Sequence, residues 1–330
     1  MSAAGDEPLL AVRQLEVAYR VAHQGRHRWL TAVNQVSFEI RRGETLGIIG
    51  ESGSGKTSIA RALLRLIDIR SGSVRFRGCD LQQQRGARLR ATRRHLQMIF
   101  QDPLASLDPR MQVAEIVAEP LHVFEPRLSA DQRDRRVLQA LQAVGLGEEH
   151  LYRFPHAFSG GQGQRIAIAR ALIVQPELMV CDEPLSALDV SIKSQISNLL
   201  KELQQRMALS LLFISHDLAA VRFLCDRVLV LYLGHAMEIA ATDTLFQTPR
   251  HPYARALIRA ALIPDPVVAR ARASRVLQGE VPSPLEAPSG CVFRTRCPLA
   301  IDRCVKETPA LRPVYGSLVA CHRAEDAVPD

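Results

Sequence analysis

Residues 50–57 read Gly50-Glu51-Ser52-Gly53-Ser54-Gly55-Lys56-Thr57, and the two stretches that flank them decide the kind of fold. Ahead lies Thr45 to Ile49, short and almost wholly apolar, the pattern of a strand buried on both faces of a parallel sheet. Behind, from Ser58 on, Ile59, Leu63, Leu66 and Ile67 recur at helical spacing. A strand, a glycine-rich turn and a helix in that order make a cradle for an anion. The glycines let the backbone curl until successive N–H groups and the helix N-terminus face one point. Lys56 adds a point charge suited to β- and γ-phosphates, and Thr57 a hydroxyl for Mg²⁺. A chance glycine-rich turn is the rival reading, but it has no reason to match all eight positions and both flanks. The eight residues and Ser58 are the candidate nucleotide-binding set.

Such a site also needs a buried strand that ends in an acid, and Leu178-Met179-Val180-Cys181-Asp182-Glu183 supplies one. Asp182 is expected to hold Mg²⁺ through water. Glu183 is expected to orient or deprotonate the attacking water, because in-line hydrolysis needs an acceptor for its proton. Two acids at a strand end can equally be a solvated loop; the phosphate-binding turn is what gives them a task.

Composition removes several classes. Of 330 residues 47% are hydrophobic, 23% charged and 5% aromatic, which excludes disordered, collagen-like and coiled-coil chains. The length suits two domains, or one large domain with an extension. No run approaches the roughly 18 apolar residues of a membrane span, and Asp6 and Glu7 stand where a secretory signal carries positive charge. Neither a spanning segment nor export by that route is expected. The net charge is +8, with only Lys56, Lys193, Lys201 and Lys306 as lysines. Nucleic acid, nucleotide phosphates, an anionic membrane or a merely arginine-rich surface would all account for it. Seven cysteines without an export signal are expected as reduced thiols or metal ligands.

Along the chain, Leu9 to Tyr19 and Val33 to Ile40 alternate apolar and polar residues, and Val74 and Phe76 repeat the pattern, predicting a small antiparallel sheet. Leu178 to Cys181, Leu211 to Ile214 and Val228 to Leu231 read as buried parallel strands. Helical periods between them (Ile166 to Ile173, Val190 to Met207) make the ground plan α/β. From Asp102 to about Phe158 the alternation breaks into helix-like stretches, Val113 to Val123 and Val137 to Val144. Beyond about Phe246, proline-rich connections lead to a tail bearing Cys291, Cys297, Cys304 and Cys321. The expected division is a core of 1–101 and 165–245, a helical subdomain of 102–164 and an extension of 246–330.

Phe158-Ser159-Gly160-Gly161-Gln162, about twenty residues before Asp182, resembles the signature sequence of ABC ATPases. The other elements of that family also appear in order: Gln101 within Phe100-Gln101-Asp102-Pro103, Ser186-Ala187-Leu188-Asp189 after the acids, and His216 after the strand Leu211 to Ile214. The resemblance implies a P-loop NTPase core with a RecA-like parallel sheet, an antiparallel β subdomain and a helical insertion. It implies two such domains sandwiching two ATP molecules, the Lys56 loop of one opposed to Ser159, Gly160, Gly161 and Gln162 of the other. By the same resemblance Gln101 ligates Mg²⁺ with Thr57 and Asp182 and reports nucleotide state to the helical insertion. Likewise His216 contacts the γ-phosphate, Asp189 connects the two sites, and Tyr19 stacks on adenine, with Trp29 a rival for that place. Phe158 stands where leucine is commoner, and Gly163 where a charged residue is often seen; neither touches the hydrolytic set of Lys56, Glu183 and His216.

Gly279-Glu280-Val281-Pro282-Ser283-Pro284, Gly290-Cys291-Val292-Phe293, Arg296-Cys297-Pro298 and Cys304 resemble the C-terminal extension of ATPase subunits of dipeptide and oligopeptide importers, a branch that includes nickel importers. Pro249-Arg250-His251-Pro252-Tyr253 belongs to the same pattern. The likeness then covers essentially the whole chain and is greatest to the second ATPase subunit of such transporters. It implies an ATP-hydrolysing subunit on the cytoplasmic face of a bacterial inner membrane. Its implied partners are a second, different ATPase subunit, two transmembrane permeases and, indirectly, an external solute-binding protein, with no nucleic acid. The four tail thiols, separated by 5, 6 and 16 residues, lack the paired C-x-x-C of a zinc ribbon. A 4Fe–4S cluster, which the resemblance implies, structural zinc, and plain buried cysteines are the three readings of them. Two other function classes compete: a soluble ABC ATPase acting on nucleic acid or ribosomes, which the charge permits, and an iron–sulfur redox sensor that merely binds ATP, which Glu183 disfavours.

Overall fold

Thr45–Ile49 forms a strand buried at every position, as an apolar run between two turns predicts. The computed structural model describes residues 7–23, 25–261 and 280–326. In chain order its strands are β1 (Leu10–His23), β2 (Arg26–Ile40), β3 (Thr45–Ile49), β4 (Ser71–Phe76), β5 (Cys79–Asp80), β6 (Leu96–Ile99), β7 (Leu178–Asp182), β8 (Ser210–Ile214), β9 (Arg227–Tyr232), β10 (His235–Ala241), β11 (Arg312–Val314) and β12 (Ser317–Val319). Its helices are α1 (Lys56–Leu63), α2 (Gly86–His95), α3 (Val113–Phe124), α4 (Ala130–Ala143), α5 (Gly160–Leu172), α6 (Val190–Met207), α7 (Leu218–Leu224), α8 (Thr242–Gln247), α9 (Pro252–Ala261) and α10 (Asp302–Lys306). Packing gathers the described chain into two units, one of 10–39, 46–78 and 225–326, the other of 7–9, 40–45 and 79–224.

In the first unit β1 and β4 pair antiparallel, Leu10 opposite Phe76, with a bulge between Arg13 and Glu16. This is the small sheet that the alternating pattern predicts. A second sheet runs in the order β3-β9-β10-β12-β11. The β3–β9 pair is parallel and the rest antiparallel, and the chain's last strands return to pair with β10 through Glu238 opposite Val319. No periodic signal in the tail pointed to that return, because three-residue strands carry too little pattern to read.

In the second unit β6, β7 and β8 are parallel neighbours, Leu178 facing Leu96 on one side and Ser210 on the other. Every residue of β7 and β8 is buried, which is why their sequences show no polar alternation. Helices α3 and α4 each begin with a capping box, Gln112 with Glu115 and Ser129 with Gln132, satisfying N–H groups that a first turn otherwise leaves free. Both helices pack on α5.

Two helices differ from their sequence-based bounds. The apolar spacing carries α1 to Ile67, yet it stops at Leu63. The Leu66 N–H donates to the Arg61 carbonyl and the Arg65 N–H to that of Ala62, a Schellman closure that places Arg65 at positive φ, 55°, where glycine is usual. Helix α5 starts at Gly160, ahead of the Ile166 to Ile173 period. Three glycines, Gly160, Gly161 and Gly163, disfavour a helix, but Ser159 caps the turn that contains them.

Candidate nucleotide site

The phosphate-binding loop hangs between β3 and α1. Gly55 has φ 105°, and a Cβ there would stand 2.2 Å from the Ala32 carbonyl oxygen; only glycine meets both demands. The Lys56 side chain is 5% exposed. Its Nζ donates to the carbonyls of Gly50 (2.8 Å) and Glu51 (2.9 Å) and to Ser54 Oγ (3.4 Å). The cation is thus folded over the loop whose N–H groups the sequence assigns to phosphate. The Tyr19 hydroxyl lies 3.0 Å from Ser58 Oγ, which ties the first strand to the second residue after Lys56. Trp29, its rival for the adenine, is 61% exposed with the Arg70 guanidinium 5.5 Å over its ring.

The acids and their companions belong to the other unit. Asp182 ends β7, buried, beside Ile214 of β8. Glu183 follows at φ 49°, a left-handed conformation costing on the order of 1–2 kcal/mol; its N–H donates to the Ile214 carbonyl at 2.9 Å. Strain of this kind is retained where the surroundings enforce it, and here it turns the carboxylate off the strand end. Glu183 Oε2 accepts from Gln101 Nε2 at 3.1 Å, and His216 Nδ1 stands 3.5 Å from the same oxygen. Gln101, Glu183 and His216, far apart in sequence, therefore meet on one carboxylate oxygen. Burial pushes the neighbouring Cys181 thiol up to about 12, so it stays protonated and inert.

Ser159 caps α5. Its Oγ accepts from the Gln162 N–H at 3.4 Å, and Gln162 Oε1 accepts from the Ser159 N–H at 3.1 Å. The signature residues thus form the first turn of a helix, where anions are favoured. Gly163 has a packing reason, since a Cβ there would lie 2.7 Å from Leu104 Cδ2. Arg170, further along α5, donates to the Ser106 carbonyl at 2.7 Å and to its Oγ at 3.2 Å. The segment that follows Gln101 is in this way fastened to the signature helix at two points. Asp189 is exposed at the N-terminus of α6.

Two contacts on the phosphate-binding loop were not foreseen. The Tyr253 hydroxyl accepts the Glu51 N–H at 2.9 Å, and Arg296 forms an ion pair with the Glu51 carboxylate. Both residues lie within motifs of the extension, but nothing in their spacing tells which distant residue they meet.

In the tail, the Cys291 N–H donates to the Cys304 carbonyl at 2.8 Å. Burial pushes the Cys291 thiol up to about 11 and that of Cys297 to about 12, and the other tail thiols add to both shifts. Cys291 and Cys304 are buried, and Cys297 and Cys321 half-buried. Among the described residues no group of three or more His, Cys, Asp or Glu side chains is arranged to hold a metal ion. That observation supports neither the zinc nor the 4Fe–4S reading of the four tail cysteines. Cys79 lies on β5 and is exposed.

Comparison with known proteins bears on the whole chain. The family model described as ABC transporter matches residues 33–186, and the model of the oligopeptide/dipeptide transporter C-terminal region matches residues 237–304. The chain is 47% identical over 326 residues to the oligopeptide transport ATP-binding protein OppF of Escherichia coli, covering 97% of this chain and 98% of that protein. Against OppF of Haemophilus influenzae it is 48% identical over 321 residues, covering 96% and 97%. Among solved structures, a dimeric ATP-binding cassette in a post-hydrolysis state with ADP and Pi superposes with a TM-score of 0.64 at 28% identity, over 71% of this chain and 98% of that one. A Clostridium perfringens subunit, part of an ABC transporter complex, superposes with a TM-score of 0.65 at 26% identity, over 81% and 100%.

Proposed function

The chain belongs to the ABC transporter family of ATP-binding subunits, in its oligopeptide/dipeptide branch, and from that premise we propose that it is the ATP-hydrolysing subunit of a peptide importer. What carries this reading is near-full-length similarity to oligopeptide transport ATP-binding proteins in a chain that keeps a complete hydrolytic set. Lys56 and the loop N–H groups grip the β- and γ-phosphates. Thr57, Asp182 and Gln101 serve Mg²⁺, which supplies charge neutralisation of the transferred phosphoryl. Glu183 takes the proton of the attacking water. His216, which already shares an oxygen with Gln101 on Glu183, senses the γ-phosphate side. Tyr19 serves the adenine.

Ser159 to Gln162 grip the nucleotide of a second ATPase subunit, a different chain, and Asp189 links the two sites. Among the described residues no helix is long and apolar enough to cross a membrane. In this reading two permease partners provide the passage, the chain is peripheral on the cytoplasmic face, and an external binding protein delivers the peptide. Residues 102–164 act as the helical subdomain between nucleotide and permease.

The test is reconstitution of the full chain with its permeases and second ATPase in vesicles. ATP hydrolysis is expected to rise severalfold when a peptide-loaded binding protein is added. Stimulation by DNA or ribosomes instead, with none by the permeases, would overturn the reading.

The tail supports a second assignment within the same subunit. Four cysteines are the donor set of a 4Fe–4S cluster, and the tail carries four, Cys291, Cys297, Cys304 and Cys321, of which Cys291 and Cys304 are buried. We assign them as its ligands; the cluster would supply a rigid cross-link of the tail. Anaerobically purified protein is expected to contain about four irons and four labile sulfides per chain. Colourless, iron-free protein would end the assignment.

A further inference from the structure

The Glu51 residue of the phosphate-binding loop is held at three of its groups by side chains far from it or across the loop. Its carboxylate accepts Arg296 Nη1 at 2.7 Å and Nη2 at 3.1 Å, the fork-to-fork geometry that only arginine provides. Its N–H donates to the Tyr253 hydroxyl, and its carbonyl accepts Lys56 Nζ, both at 2.9 Å.

The clamp is itself firmly seated. The Arg296 side chain is 6% exposed, and its Nη1 also lies 3.4 Å from the Tyr232 hydroxyl. Phe293, three residues earlier, packs against Tyr232 and Tyr253 with ring centroids 5.3 Å away in each case. Tyr253 is fixed in turn by its N–H, which donates to His251 Nδ1 at 3.0 Å. Burial holds His251 neutral, its pKa lowered to about 3, as an acceptor must be. The turn before it hangs on Glu238, whose carboxylate accepts the N–H groups of Arg250 and His251. The aromatic cluster alone would seat this segment. Replacing a buried ion pair with apolar groups often costs no stability, so the pair's contribution is direction: it sets where the Glu51 peptide points.

We propose that Arg296 is a positioning residue for nucleotide binding: by clamping Glu51 it holds the loop peptide that Lys56 grips, so that the cysteine-bearing tail sets the affinity for ATP. This rests on the reading of residues 50–58 as the nucleotide site. Because Cys297 is the next residue and Phe293 lies between it and Cys291, a change in the tail's fold reaches the loop directly through Arg296 and, by way of Phe293, through Tyr253.

The experiment is ATP titration of the full chain, with steady-state kinetics in the reconstituted transporter and melting curves as a control for folding. Arg296→Met is expected to raise Kd and KM for ATP about tenfold while kcat at saturating ATP stays within about twofold. Arg296→Lys, a point charge in place of a fork, recovers part of the loss. Glu51→Gln, which keeps the packing, reproduces it, and the double variant binds no more weakly than either single one. Arg296→Met and Glu51→Gln proteins that bind ATP as tightly as the unaltered chain, or losses that simply add in the double variant, would overturn the proposal. An unaltered chain that fails to bind ATP would defeat the nucleotide-site reading instead.

Discussion

Replacing Glu183 by glutamine is expected to slow ATP hydrolysis by about 10²- to 10⁴-fold while ATP binding is kept, so that the subunits accumulate as an ATP-bound pair. The amide preserves the size of the side chain and its contact with Gln101, whose Nε2 now donates to Oε2 at 3.1 Å. What it removes is the capacity to accept a proton from water. In the proposed pairing of two ATPase subunits, nucleotide binding drives closure and hydrolysis allows reopening, so a chain that binds without hydrolysing is expected to stay closed. Phosphate release in a single turnover, with size-exclusion chromatography of the ATP-loaded subunits, measures both halves. A Glu183→Gln protein that turns over at the normal rate would refute the assigned base. The positive φ of Glu183 is a backbone feature and survives the substitution, so misfolding is not the expected cause of a loss.

Lys56→Ala is expected to weaken ATP binding by on the order of 100-fold or more, the scale on which truncating one partner of a buried charged contact acts. The ammonium is buried and has three acceptors on its own loop. Truncation removes the point charge for the phosphates and also the brace that joins the Gly50 and Glu51 carbonyls. Titration with ATP gives the affinity, and a melting curve separates lost charge from a collapsed loop. Wild-type affinity in this variant would remove the loop from the nucleotide site.

Most of what these two experiments address was legible beforehand. Gly50 to Thr57 between an apolar run and an amphipathic stretch reads as strand, cradle and helix because each of the three patterns is local and physically distinct. Asp182 and Glu183 read as a strand end, and Ser159 to Gln162 as the signature that the family resemblance supplies. The bounds that failed did so for local reasons: α1 ends early at a Schellman closure with arginine, not glycine, in the left-handed place, and α5 begins early because a capping box outweighs three glycines.

The chain's sequence by itself determined the small antiparallel sheet, the buried strands β3, β7, β8 and β9, and the family. These depend on residues near one another along the backbone, where steric and hydrogen-bonding rules act over a few positions. Only the tertiary structure decided that Gln101 and His216 share one oxygen of Glu183 and that the last strands return to β10. It alone shows Arg296 and Tyr253 fastening Glu51, more than 200 residues away. Such pairings leave no periodic trace, because a side chain's charge and shape are local while its partner is chosen by how buried strands and aromatic clusters fold the chain back on itself.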